Sequence, residues 1–248
     1  MRYLLTLASL LFAWTAFAAN YAGRQVFIPV VTHAAGANGT QWRTDVVISS
    51  RHATRSTTVG MVYDPVDRIP MHMRMTLGPR ESVTITDFVG ERASVPGSFG
   101  TLTLTTDSED VPIVAFARVY NTGNTAGEFG QLIQGMPPSE LSKMTWLNGL
   151  IGVRGFRTNV GIANPHGTAT TFWLTWYDKH GNSHGGAGMV TIPAYGLILY
   201  NDIFSVVGMP PDEGLSLSID GDLPLYAYAS VVRNDTGDAY TIMGDGTD

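Results

Sequence analysis

Trp42-Arg43-Thr44-Asp45-Val46-Val47-Ile48 recurs, conservatively changed, as Phe156-Arg157-Thr158-Asn159-Val160-Gly161-Ile162. Both phrases alternate in apolar and polar character. Trp42, Val46 and Ile48 share one side of an extended chain, and Arg43, Asp45 and Val47 share the other. The match extends outward at a nearly constant separation. Val62-Tyr63-Asp64 is set against Trp176-Tyr177-Asp178, and Leu77 to Asp87 against Ile192 to Asp202. Asp110-Val111-Pro112-Ile113-Val114-Ala115-Phe116-Ala117 is set against Asp222-Leu223-Pro224-Leu225-Tyr226-Ala227-Tyr228-Ala229. The separation drifts by single residues at Gly, Pro and Asp clusters, where loops absorb insertions. Self-similarity of this kind indicates an internal duplication.

The duplication divides the chain into a first repeat at 26–136, a Pro-containing linker at 137–144 and a second repeat at 145–243. Within each repeat the apolar period is two. Ile113, Ala115, Ala117 and Val119 alternate with Val114, Phe116, Arg118 and Tyr120. Only Asp87 to Ala93 and Asn201 to Val207 can hold a short helical turn. Strand-length segments separated by turn residues every ten or so positions predict an all-β fold, two tandem antiparallel β-sandwiches of seven or eight strands each. No helical stretch is long enough to connect parallel strands.

Phe27-Ile28-Pro29-Val30-Val31, Gly36-Ala37-Asn38-Gly39-Thr40 and Gly155-Phe156-Arg157-Thr158-Asn159-Val160-Gly161 with Asn164 resemble tandem immunoglobulin-like repeats of exported bacterial proteins. The resemblance covers most of the chain after its leader and implies the sandwich fold. It implies no established activity and no site residues.

Residues 1–18 read as a signal peptide. Arg2 supplies a positive start, Leu4 to Thr15 is apolar, and Ala16-Phe17-Ala18 is a small-x-small cleavage pattern. About a dozen apolar residues are too few for a bilayer core roughly 30 Å thick, so cleavage before Ala19 is expected and no membrane anchor. No cysteine follows for lipid attachment, which leaves a secreted or periplasmic location. The 248 residues include no cysteine, so disulfides, thiolate zinc sites and cysteine nucleophiles are excluded. A formal net charge of −6 with no basic run argues against nucleic acid as a partner.

Four groups of residues carry possible chemistry. Arg43 with Asp45, and Arg157 with Asn159, sit two apart and project from one side of their strands. Each offers a guanidinium to a carboxylate or sugar hydroxyl, or else fixes a neighbouring loop. The change from Asp45 to Asn159 keeps hydrogen bonding and drops charge, which suits a structural contact better than acid–base work. In Phe172-Trp173-Leu174-Thr175-Trp176-Tyr177 both sides of the strand are large, whereas Thr58 and Gly60 occupy the matching first-repeat positions. Phe172 and Trp176, with Tyr226 or Tyr228, are the candidate platform for a carbohydrate ring; burial against the other sandwich or a partner subunit is the alternative.

His180-Gly181-Asn182-Ser183-His184 has the spacing of two metal ligands on a helix, but its Gly and Asn predict a hairpin turn, and no third ligand is nominated. Asp107-Ser108-Glu109-Asp110, Asp220-Gly221-Asp222 and Asp235-Thr236-Gly237-Asp238 can offer oxygens to calcium, yet none follows a regular calcium-loop pattern, and no cofactor is expected. Gly181-Asn182-Ser183-His184-Gly185 has the Gly-x-Ser-x-Gly spacing, but it falls in the predicted hairpin turn and not between a strand and a helix, so it is not read as a nucleophile elbow. The expected function is that of an exported, non-catalytic binding or structural module for polysaccharide or an extracellular protein. Two alternatives stay open. One is an assembly subunit that pairs a strand edge such as Gln25 to Val31 with a neighbour. The other is a hydrolase with a site between the repeats.

Overall fold

The computed structural model describes residues 21–123, 127–186 and 188–246. The leader at 1–18 and its cleavage point lie outside the described residues. Alternating sequence becomes antiparallel sheet throughout. The first half holds β1 (Gln25–Ala35), β2 (Gln41–Ser50), β3 (Thr57–Pro65), β4 (Met71–Leu77), β5 (Ser82–Ile85), β6 (Ser98–Thr106), β7 (Ile113–Asn121) and β8 (Phe129–Gln134). The second holds β9 (Ser142–Ile151), β10 (Phe156–Ala163), β11 (Thr170–Tyr177), β12 (Val190–Ile192), β13 (Leu197–Tyr200), the short helix α1 (Ile203–Val207), β14 (Glu213–Arg233), β15 (Ala239–Met243) and β16 (Asp245–Gly246). Short helical turns form at both places the sequence allows, Phe88–Arg92 and Ile203–Val207, but one-turn 3-10 segments also form at Ala37–Gly39 and Pro138–Glu140, where none was expected.

In the first half, β4-β3-β6-β1 make one sheet and β5-β2-β7-β8 the other. β1 serves both, running along β6 from Gln25 to His33 and meeting β2 at Ala34 and Ala35. Its register slips between Ile28 and Val31, where Pro29 has no N–H for the ladder. β1 lies inside the strand order, and Val26, Phe27, Ile28 and Val31 are fully buried. The reading of Gln25 to Val31 as a free edge for a neighbour is therefore corrected: β6 takes one side of this stretch, Met136 pairs with Phe27 on the other, and its side chains are packed in the core.

In the second half β14 plays the double role. Its first part pairs with β9 and β11 and its last part with β10 and β15, with the register broken between Asp220 and Leu225. Gly221-Asp222-Leu223-Pro224 occupies that break. β10 pairs with β13 and β14 as β2 pairs with β5 and β7, and β11 pairs with β12 and β14 as β3 pairs with β4 and β6. The two halves thus share these pairings, although β1 also meets β2 whereas β9 pairs with β16 and, among the described residues, not with β10.

A buried threonine fixes each pair of sheets at the same place. Thr44 Oγ1 accepts the N–H of Thr32 at 2.8 Å and donates to its carbonyl at 3.0 Å. Thr158 Oγ1 does the same to Ile151, accepting at 3.2 Å and donating at 2.7 Å. Both threonines are fully buried. Each satisfies backbone groups of the facing strand, buried at Thr32 and partly buried at Ile151.

Inward residues of each half build a core, one around Phe27, Ile48, Met61, Tyr63 and Leu104, the other around Leu147, Ile162, Phe172, Leu217 and Ile219. Each such side chain contributes about 1.5–3 kcal/mol on burial. Ala163, Leu197, Tyr226 and Tyr228 of the second half belong to the first core. They lie on the outer side of the β13-β10-β14 sheet, which packs against the first sandwich. Phe27 and Tyr226 meet at 6.4 Å between ring centroids, tilted by 50°. The Tyr226 hydroxyl donates to the Gln134 carbonyl, and Thr101 Oγ1 donates to the Tyr195 carbonyl at 2.7 Å. Among the described residues no helix is long and apolar enough to cross a membrane.

Candidate functional site

The sandwiches do not close completely where they meet. A cleft of about 510 Å³ remains between them, within the roughly 300–1,000 Å³ typical of small-ligand sites. Trp42, Phe99 and Val30 of the first half and Leu199 and Tyr228 of the second supply apolar walls. Thr32, Gln131, Arg157, Asn159, Asp202 and Ser230 supply polar groups. The rings are held by close backbone approaches. A Cβ on Gly36 would fall 2.4 Å from the Trp42 indole nitrogen, and one on Gly161 would fall 2.1 Å from the Tyr228 ring. Each ring therefore rests on a residue that must lack a side chain. Burial pushes the Tyr228 hydroxyl well above its usual value, so it is a neutral donor at any physiological pH.

Arg157 is the cation of the cleft. Its Nη1 donates to Asn234 Oδ1, a neutral amide, and among the described residues it takes part in no ion pair. Burial lowers its pKa, and the more distant Asp202 carboxylate opposes that shift. Asn159 Oδ1 accepts the Asp202 backbone N–H at 3.0 Å, which leaves the Asn159 amide N–H₂ as a donor. Asp202 Oδ2 accepts from the Ser205 hydroxyl at 2.7 Å.

Arg43, expected as the counterpart of Arg157, sits in a different setting. On the outer side of the first sandwich its Nη1 donates to its own neighbour's carbonyl, Trp42, at 2.8 Å, and its Nε lies 3.9 Å from Asp87. Asp87 also holds His33 at 2.7 Å. Asp45 accepts the Asp87 backbone N–H at 3.0 Å and the Tyr120 hydroxyl at 3.1 Å, and lies 3.4 Å from Arg118. Burial, then the Asp45 charge, pushes the Tyr120 hydroxyl up to about 12. Here Arg43, Asp45, Asp87 and Arg118 each have a partner of opposite charge.

The aromatic platform is placed differently from expectation. Phe172 and Trp176 are buried in the second core, and the Trp176 ring is stacked on His184 at 4.3 Å. Tyr226 and Tyr228 are buried against the first sandwich. These four residues do not meet on one open surface, because Phe172 and Trp176 point to the inner side of their sheet while Tyr226 and Tyr228 point to the outer side of the other. The outward rings of β11 and β9 are Trp173, 41% exposed, with Tyr177 and Trp146, whose centroids are 5.0 Å apart.

The segment from His180 to His184 is the hairpin turn the sequence predicts. Asp178 accepts from the His180 and Asn182 backbones, the Asn182 side chain and His184. Among the described residues no cluster of three or more His, Cys, Asp or Glu is placed to hold a metal. The cleft itself escaped sequence reasoning, since it depends on how two domains dock. The one legible signal was Gly161, which replaces the Val47 of the first repeat. No family model and no curated protein matches the chain.

Proposed function

We propose that the chain is an exported, non-catalytic binding protein, cleaved before Ala19, whose ligand is held between two immunoglobulin-like sandwiches. The observation that carries this reading is the cleft itself, walled by rings from both halves and furnished with a few convergent polar groups. A test uses 8-anilinonaphthalene-1-sulfonate, whose fluorescence rises in apolar sites. Wild type should bind it, and Ala34→Trp, which fills the cleft from β1, should abolish binding without loss of cooperative unfolding. Equal enhancement by both proteins would remove the reading.

A second reading is favoured by the outward rings of the second sandwich. Trp173, Tyr177 and Trp146 present flat aromatic surface of the kind that stacks on pyranose rings. Sedimentation with insoluble polysaccharide should then be lost in Trp173→Ala and kept in Ala34→Trp.

A further inference from the structure

Strand register turns the resemblance between halves into a residue-by-residue comparison. On β2 and β7, Arg43 lies opposite Tyr120 and Asp45 opposite Arg118. On β10 and β14, Arg157 lies opposite Val232 and Asn159 opposite Ser230. The ion pair of the first half thus becomes a neutral pair in the second, and the polar ring becomes an aliphatic residue. Of this group only the guanidinium at Arg43 and Arg157 is kept. In the first half it faces Asp87 at 3.9 Å; in the second, among the described residues, it has no carboxylate within ion-pair reach, and it lines the cleft.

A partly buried guanidinium that Asp202 supports only from beyond ion-pair distance keeps a desolvation cost that a bound anion would relieve. The neutral pair beside it, Asn159 and Ser230, adds donors and lacks the acid that Asp45 supplies at the matched position of the first half. Asp202 limits the charge the site accepts. Its carboxylate lines the same cleft, so a multiply charged phosphate meets repulsion, whereas a single carboxylate is matched by Arg157 alone. The remaining acceptor capacity of Asp202 suits a hydroxyl on the same ligand. Trp42, Phe99 and Tyr228 suit a ring.

We propose that the cleft is a carboxylate-binding site, with Arg157 as the anion receptor and the aromatic walls holding the body of a small ring acid. This rests on the reading of the cleft as the binding site. Two sources share the chemistry, a sugar acid and an aromatic acid, and paired probes separate them. Titration calorimetry at low salt would compare D-glucuronate with D-glucose, and benzoate with benzamide.

In wild type at least one acid should bind about tenfold or more tightly than its neutral partner, as expected for charge-assisted hydrogen bonds. The stronger acid identifies the source. Arg157→Gln should bring acid and neutral probe to within about twofold, while Arg157→Lys keeps part of the preference because it keeps charge without the planar fork. Arg43→Gln, at the matched position outside the cleft, should leave the preference intact. Cooperative unfolding of each variant shows that it is folded. If acid and neutral probes bind wild type equally, or if the preference survives Arg157→Gln, the carboxylate assignment is overturned and the cleft stands as a neutral site. If none of the four probes binds wild type at millimolar concentration, the cleft reading falls with it.

Discussion

The Oδ1 of Asn159 accepts the backbone N–H of Asp202 at 3.0 Å, and Asp202 is held there in the left-handed region at φ 54°. Asp45 and Asp87 repeat the relationship at 3.0 Å, with φ 39° at Asp87. In each half a β-strand side chain anchors the residue that opens a helical turn, Phe88–Arg92 in the first and Ile203–Val207 in the second. The contact needs an acceptor oxygen and no charge, which is why Asp and Asn are both found.

Asn159→Ala should lower stability by about 1–2 kcal/mol, since the Asp202 N–H loses its partner. Asn159→Asp keeps the acceptor and should stay close to wild type in urea midpoint. It also places a carboxylate beside Arg157, as Asp45 stands near Arg43. The preference of the cleft for glucuronate or benzoate over the neutral analogue should therefore fall in Asn159→Asp, although the fold is intact. Calorimetry and urea denaturation on the same preparation separate the two effects.

Thr44 and Thr158 support a prediction about the scaffold alone. Valine has nearly the shape of threonine but offers the facing backbone nothing. Thr44→Val strands the buried N–H and carbonyl of Thr32, and Thr158→Val strands those of Ile151. Each should cost about 1–3 kcal/mol, while Thr→Ser at either position keeps the hydroxyl and costs less. Chemical denaturation with unchanged slope would report the loss.

Much of this was legible in the repeated phrase. The alternation of Thr44, Val46 and Ile48 against Arg43, Asp45 and Val47 is the inner and outer side of β2, and Ala115, Ala117 and Val119 face inward as their period requires. The error on β11 has a definite origin. Sequence matching sets Tyr63 against Tyr177, but Tyr63 is fully buried and Tyr177 lies on the outward side of β11, where Trp176 is the buried neighbour. A slip of one residue exchanges the two sides of a strand. It made Phe172, which is buried, correspond to Thr58, which is on the outward side of β3. The period of two tells which residues share a side and cannot alone say which side is covered. Docking of the halves is illegible for another reason: Tyr226 and Tyr228 look like any outward residues of a strand until a second sandwich covers them.

Gly161→Ala tests how the cleft wall is held. Gly161 does not have a positive φ, so alanine brings no backbone strain there. Its Cβ would instead strike the Tyr228 ring. Overpacking of this kind costs about 1–3 kcal/mol, and the displaced ring should also weaken binding of 8-anilinonaphthalene-1-sulfonate. Tyr228→Leu on the Gly161→Ala background should recover part of the stability, because the clash is with the ring. A double-mutant cycle in urea would measure that coupling.

Asp64 and Asp178 should act oppositely on stability as pH changes. Asp64 Oδ2 is buried and without a hydrogen-bond partner among the described residues, and burial raises its pKa above 3.8 while His72 opposes the shift. The folded protein therefore holds that proton more tightly than the unfolded chain. Stability is unpenalised below the ordinary value and falls as pH rises through the raised one. Asp178 is held well below 3.8, first by the Asn182 side chain and then by His184. Its contribution is present above the ordinary value and is lost as pH falls through the lowered one. Asp64→Asn should thus gain stability over wild type as pH rises from about 4 toward neutrality, with no gain below about pH 3. Asp178→Asn should lose stability at neutral pH and converge on wild type in acid. Urea midpoints of the three proteins across that range decide it, and a gain from Asp64→Asn that is independent of pH would show that its buried oxygen is not titrating.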